Sequence, residues 1–337
     1  MSEQTIVKDA VSDKKNVSRS RVVFLVLVIA ALALFPLVHL AVPRGLNYWI
    51  HMALYVLMYI TMASSWNIIG GYAGYVSLGH NVFFAVGAYF AGMMFAELGI
   101  SPFIMTPIAG LVAFLVGLLV GLISLRTRGP AFIITTIAMT LLASLLFDKW
   151  EAAGGANGLS LALIDLPART AKLPFYYGML ILAIGSISLS YMIRHSKFGL
   201  GLRAISQDEV KAESSGIPTS EYKILAFATS ALFVGMAGAM WGYYLTYLRP
   251  SLFLNITLAA TLVLMVILGG KGTVAGPVIG AILLVSVNEF FVAQLGATSL
   301  NIVATGVLMM VVLLFFPAGV VGTLLERGKL PRIINWE

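Results

Sequence analysis

The chain has 337 residues, 60% apolar and 10% charged, with 33 glycines, no cysteine and a net charge of +7. Soluble domains carry roughly 25% charged residues, and helical stretches that are apolar all round leave lipid as the surrounding medium. Without cysteine there are no disulfides and no thiolate metal sites, and the basic balance suits a nucleic-acid partner only if it gathers on one soluble face, which it does not.

In chain order, residues 1–21 are a polar tail whose Lys8, Lys14, Lys15, Arg19 and Arg21 abut the first apolar stretch. The start resembles a secretory leader. The apolar run behind it exceeds the about 7–15 residues of a leader core, so it reads as an uncleaved first helix. With about 20 residues needed per crossing, ten spans are predicted: 22–42, 46–69, 80–97, 102–125, 130–147, 174–193, 223–247, 251–269, 276–292 and 300–316. The fold class is therefore an all-α polytopic membrane helix bundle over 22–316. Counted by alternate loops, with Lys223 assigned to the loop it borders, 16 Lys and Arg lie on the N-terminal side and 5 on the other. The excess places both termini, including the tail 317–337, in the cytoplasm. Aromatic residues at span ends (Tyr48, Trp49, Trp150, Tyr176, Tyr177, Trp241, Tyr243, Tyr244, Tyr247) fit the same frame.

Two glycine-rich segments, 70–80 and 269–277, each follow an inward span and precede an outward one. That parallel placement hints at an internal repeat. They read either as flexible cytoplasmic turns or as broken segments buried at membrane depth, where transporters often bind substrate. The pairs Gly117/Gly121, Gly238/Gly242 and Gly276/Gly280 read as close helix packing. Gly269-Gly270-Lys271-Gly272-Thr273 fails as a phosphate loop, because Met265 and Gly272 stand where Gly and Ser or Thr are needed. No ATP-binding motif is found in the sequence, and no catalytic or metal-ligating constellation either.

The outside loop 148–173 holds Asp148, Glu151, Asp165 and the run Gly154-Gly155-Ala156-Asn157-Gly158. The inside loop 194–222 holds Ser206 three residues before Glu209, the spacing of a capping box. Asp208 and Glu209 suit a positive helix N-terminus. Gly216 followed by Pro218 suits a helix stop. A helix over 207–215 is predicted, and so short a helix needs something to pack on, either the bundle or a cytoplasmic partner. Glu289, inside the ninth span toward its outer end, reads either as a functional acid or as a residue snorkelling to the interface.

Several segments together resemble the branched-chain amino acid ABC transporter permeases, and among them the second of the two permease types. They are Gly74 through Tyr89 (GYVSLGHNVFFAVGAY), Arg126 through Thr136, the outside run Gly154–Leu159, Phe198 through Ile205, Ala212 through Ile217, Lys223 through Phe227, and the tail Phe316-Pro317-Ala318-Gly319-Val320. The resemblance covers roughly 45 to 325. It departs at Tyr75 and Asn81, where smaller or differently polar residues are usual, and at Ala153, where Thr often stands. Relatives move urea, amides and aromatic acids as well as amino acids, so the departures leave the substrate open.

The resemblance implies a permease subunit in a bacterial or archaeal plasma membrane, working with a second permease subunit, two cytoplasmic ATPase subunits and an external solute-binding protein. It binds no cofactor itself, the ATP being used by the partners. The coupling helix, within 194–222, would span 206–217 and sit in a groove of the ATPase, with Arg203, Ser206, Asp208, Glu209, Glu213 and Gly216 as its coupling residues. Gly71, Ser77, Asn157 and Glu289 are the candidates for the substrate path. The rivals are an ion-coupled secondary transporter and a membrane-embedded enzyme. The few acids and histidines inside the spans argue against proton coupling.

Overall fold

The computed structural model describes residues 23–38, 46–163, 167, 170–296 and 299–328. Among them, 8 helices are long and apolar enough to cross a membrane. We number the helices α1 (Val23–Val38), α2 (Asn47–Asn67, continued by a π-helical turn Ile68–Tyr72), α3 (His80–Leu98), α4 (Pro102–Ser124) and α5 (Pro130–Lys149). Then follow α6 (Leu173–Arg194), α7 (Lys197–Gln207), α8 (Glu209–Ser214), α9 (Thr219–Leu245) and α10 (Pro250–Phe253). The last four are α11 (Ile256–Gly269), α12 (Ala275–Leu295), α13 (Ser299–Phe315) and α14 (Gly319–Glu326).

The chain is thus an all-α, multi-pass membrane bundle. Seven of the predicted spans appear with ends shifted by a few residues. The eighth, 251–269, is interrupted: α10 stops at Phe253, and Asn255 restarts the chain as α11 by accepting from the Thr257 amide at 2.9 Å. The first and last predicted spans correspond to the shorter helices α1 and α13; residues 22 and 39–42 of the first lie outside the described residues. Start signals are local. Proline occupies the first turn of α4, α5 and α6, where its missing N–H costs nothing. Gly99 ends α3 in the left-handed region at φ 67.

The centre of the bundle is α9, which packs chiefly on α4 and α3 and also on α2 and α6. Its buried face is built of small residues, among them Ala228, Ala231, Gly235 and Gly238. A Cβ at Gly238 would overlap the Phe84 carbonyl of α3, and one at Gly87 the carbonyl of Gly235. Only glycine lets these backbones approach so closely, and the attraction gained is van der Waals contact over the whole seam. The pair Gly238/Gly242 therefore acts in packing, as does Gly276/Gly280 against α11.

At the other extreme, α5 has 28% of its apolar window buried, the smallest share of the eight. One stripe faces inward (Phe132, Thr136, Thr140, Ala143, Phe147), and Ile134, Leu141, Leu145 and Leu146 are exposed on the other side. Beyond it, the loop between α5 and α6 folds into two 3₁₀ turns and a strand, β1 (Leu159–Ser160). This pairs antiparallel with β2 (Tyr247–Leu248), Leu159 opposite Leu248, and so ties the loop to the end of α9. Asp165 lies outside the described residues.

Candidate functional site

The loop 194–222 corrects the capping expectation. It forms two helices instead of one. Ser206 lies exposed in the last turn of α7, and the chain turns at Asp208, whose backbone is extended at φ −160. Asp208 is the N-cap of α8: its Oδ1 accepts from the amides of Val210 and Lys211 at 3.0 and 3.1 Å. These bonds, with Lys211 at 3.2 Å, hold the Asp208 carboxyl below the usual carboxylate range. An aspartate two residues from the first free amide reaches it better than a serine already inside the preceding helix. The stop falls where the sequence places it: Gly216 sits at φ 84, its amide bonds the Glu213 carbonyl at 2.9 Å, and the Ile217 amide bonds the Ala212 carbonyl at 3.1 Å.

Glu209 does not reach back toward Ser206. It turns inward, with its side chain 12% exposed. Oε1 accepts from Lys223 Nζ at 2.7 Å and forms an ion pair with Arg128, Nε 3.3 Å away, and Oε2 accepts from the Tyr75 hydroxyl. Lys223, in the second turn of α9, is 2% exposed. Its other contacts are the Tyr75 hydroxyl at 3.3 Å, the Leu125 carbonyl at 3.5 Å and the Tyr75 ring, whose centroid is 4.9 Å away. Desolvation works against the Glu209 charge, but hydrogen bonds from Lys223 and Tyr75 and the charges of Lys223 and Arg128 outweigh it and lower its pKa. Burial, then Glu209, push the Tyr75 phenol up, so it stays a donor.

Sequence reasoning gave Lys223 no role beyond a boundary charge. An ionisable residue at the head of an apolar helix was the available signal; its partner 14 positions upstream was not readable. The remaining coupling candidates face outward. Arg203 is exposed and donates to the Arg194 carbonyl at 3.2 Å, and Glu213 is exposed 3.8 Å from Arg128.

The two glycine-rich segments meet. Asn67 Oδ1 accepts from the Gly272 amide at 3.0 Å, Asn67 Nδ2 donates to the Thr273 carbonyl at 2.8 Å, and Arg194 donates to the Gly272 carbonyl. A Cβ at Gly71 would lie 2.9 Å from the Gly272 nitrogen. Gly71 therefore serves this contact. Ser77 is fully buried at the foot of α3 beside His80. The Ser230 hydroxyl donates to the Phe227 carbonyl at 2.7 Å, so it accepts from His80 Nε2–H at 2.9 Å. That leaves Nδ1 to accept from the Ser77 hydroxyl at 3.1 Å, while Ser77 Oγ accepts from the Gly79 amide at 3.2 Å. The other two path candidates lie elsewhere. Asn157 is exposed in the second 3₁₀ turn, its carbonyl accepting from Tyr247 at 2.6 Å. Glu289, on α12, accepts from the Tyr48 hydroxyl at 3.0 Å. The four occupy four different elements and do not converge.

Both departures in the glycine signature have partners. Tyr75 belongs to the charged cluster. Asn81 accepts from Thr140 of α5 at 2.9 Å and donates to the Asn255 carbonyl at 3.1 Å, bridging α5 to the break between α10 and α11. A cavity of about 860 Å³ lies between α1, α2, α6 and α12, lined by apolar side chains such as Leu25, Leu32, Met52, Val56, Leu180 and Val278. It suits hydrocarbon. A zwitterion there would lose its hydration for few polar partners.

The family described as branched-chain amino acid transport system / permease component matches residues 48–315. The chain is similar to the high-affinity branched-chain amino acid transport system permease protein LivM of Escherichia coli K12, with 28% identity over 281 residues, 73% of this chain and 66% of LivM. It is similar to LivH, a permease protein named for the same kind of system, of Salmonella typhimurium, with 22% identity over 292 residues, 78% of this chain and 91% of LivH. The ribose import permease protein RbsC of Haemophilus influenzae is 27% identical over 214 residues, 60% of this chain and 64% of RbsC. No solved structure matches.

Proposed function

The chain belongs to the branched-chain amino acid transport permease family, and on that premise we propose that it is a membrane permease subunit of an ABC importer. It forms part of the path of a small solute, most plainly a branched-chain or other amino acid, and separate ATPase subunits drive it. Its partners are a second permease subunit, two cytoplasmic ATPases and an external solute-binding protein, in a bacterial or archaeal plasma membrane with both termini cytoplasmic. The observation that carries the reading is the helix pair α7–α8. Its root is fixed by the charged cluster, while Val210 of α8 stands 62% exposed with Lys211, Glu213 and Ser214 beside it. An exposed apolar residue on a rigid, charged projection suits a protein groove. Arg203, Ser206, Asp208, Glu213 and Gly216 shape or present that surface, and Glu209 anchors it from behind.

Asn157 and Glu289, at the end that loop charge places outside, are the candidates for direct solute contact; Gly71 and Ser77 hold the segments behind them. The test is uptake in vesicles. Accumulation requires the ATPases and ATP. If the purified chain alone concentrated solute from a proton or sodium gradient, the importer reading would fall to the secondary-transporter one.

A further inference from the structure

The Glu209 carboxylate binds groups from three other parts of the chain: Lys223 on the central helix α9, Tyr75 in the segment between α2 and α3, and Arg128 in the turn that leads into α5. These three differ in how firmly they are held. Lys223 is buried on α9, which packs on α2, α3, α4 and α6. Tyr75 is buried and meets Phe132, in the first turn of α5, edge to face with centroids 5.3 Å apart. Arg128 is 56% exposed on a turn that ends at Gly129, where φ is 57 and a Cβ would find nothing within 4 Å. Beyond Gly129 runs α5, the least buried of the eight span-length helices. So α8 is joined on one side to the fixed centre and on the other, by two contacts, to the entry of a lightly held span behind a glycine with open space around it.

We infer that Glu209 is a positioning residue that transmits displacement of α8 to α5, with Lys223 as the fixed pivot and with Arg128 and the Tyr75–Phe132 contact as the two links. The inference rests on the proposal that α8 faces an ATPase, and it adds which span moves and through which side chains. A carboxylate suits the role because its two oxygens accept several directed, charge-assisted bonds at once, so a small shift of α8 is felt by every partner.

The experiment uses the whole assembled transporter in vesicles. The chain has no cysteine, so Leu145→Cys on α5 and Leu225→Cys on α9, both exposed, can be spin-labelled in the purified chain before it is assembled with its partners. In the otherwise unaltered protein the α5–α9 distance shifts when ATP binds. With Glu209→Gln, the ATPases still co-purify and still hydrolyse ATP, but the shift disappears and solute moved per ATP falls at least tenfold. The double variant Glu209→Gln with Lys223→Met, which removes the buried charge left by the single change, stays equally uncoupled. Three results overturn the inference: a distance shift and coupling that survive Glu209→Gln; full recovery of coupling in the double variant, which makes the role purely structural; and loss of ATPase co-purification with Glu209→Gln, which makes Glu209 a docking contact. Failure of the unaltered chain to bind any ATPase is a different outcome and removes the docking proposal itself.

Discussion

The contact between Lys223 and Glu209 sets a stability pattern that can be worked out in advance. The ammonium side chain is 2% exposed and the carboxylate 12%, with 2.7 Å between them. Removing one partner of such a pair leaves the other charge buried, at a cost of about 3–5 kcal/mol, whereas replacing both with well-packed neutral groups is often neutral. The two single changes are not equivalent here. Glu209→Gln keeps an amide oxygen for Lys223 but removes its counter-charge, leaving the ammonium among neutral acceptors, the Tyr75 hydroxyl and the Leu125 carbonyl at 3.3 and 3.5 Å included, so it should reach the upper part of that range. Lys223→Met leaves Glu209 still paired in charge with Arg128 and hydrogen-bonded by Tyr75, so it should fall at or below the lower end. The double variant should sit near the unaltered protein, giving a coupling of about 4 kcal/mol or more, above the about 0.5–3 kcal/mol usual for residues in contact, as expected where each single change strands a buried charge. Denaturant unfolding in detergent, followed by tryptophan fluorescence, reads all four corners. Additivity within about 0.5 kcal/mol, the behaviour of independent sites, would refute the reasoning, because it would mean that the pair is solvated.

Acid should loosen the same joint. The Glu209 pKa is lower in the folded chain than in the unfolded one, so its contribution is complete above the ordinary glutamate value of about 4.3 and is lost as pH falls through the lower folded value; the acid limb of the unfolding profile should flatten in Glu209→Gln. Asp208→Ala should speed amide exchange at Val210 and Lys211 and fray α8, while Ser206→Ala should leave that exchange unchanged; equal effects would restore the serine cap. Gly238→Ala should destabilise the bundle by about 1–3 kcal/mol or more, because its methyl group overlaps the Phe84 carbonyl; a normal melting profile would show that the α3–α9 seam is looser than described.

The bundle was legible in the sequence because its determinant is additive. A helix that crosses a membrane announces itself through some twenty apolar residues, whatever it touches, and proline and glycine at Pro102, Pro130 and Gly99 mark the edges locally. What sequence missed depends on contacts between distant segments. The break at Leu254–Asn255 lies inside an apolar run and shows only in how Asn255 bonds to α11 and to Asn81. The capping serine was a sound local signal, and Asp208 displaced it because α7 continues through Ser206.

Glu209 shows the limit most clearly. The spacing of a capping box accounts for a glutamate at that position by a bond three residues away. The fold instead uses it across 134 residues of sequence to Tyr75 and 14 to Lys223, two residues that sequence reasoning treated as a departure and a boundary charge. A buried lysine requires a buried acid, so once α9 carries Lys223 inward, some carboxylate near the head of α9 is forced to follow. Glu213 does not fill that role, because it lies 63% exposed on the outer side of α8. The inward turn of Glu209 is therefore fixed by Lys223, and it is this demand from the membrane helix α9 that anchors the short helix α8.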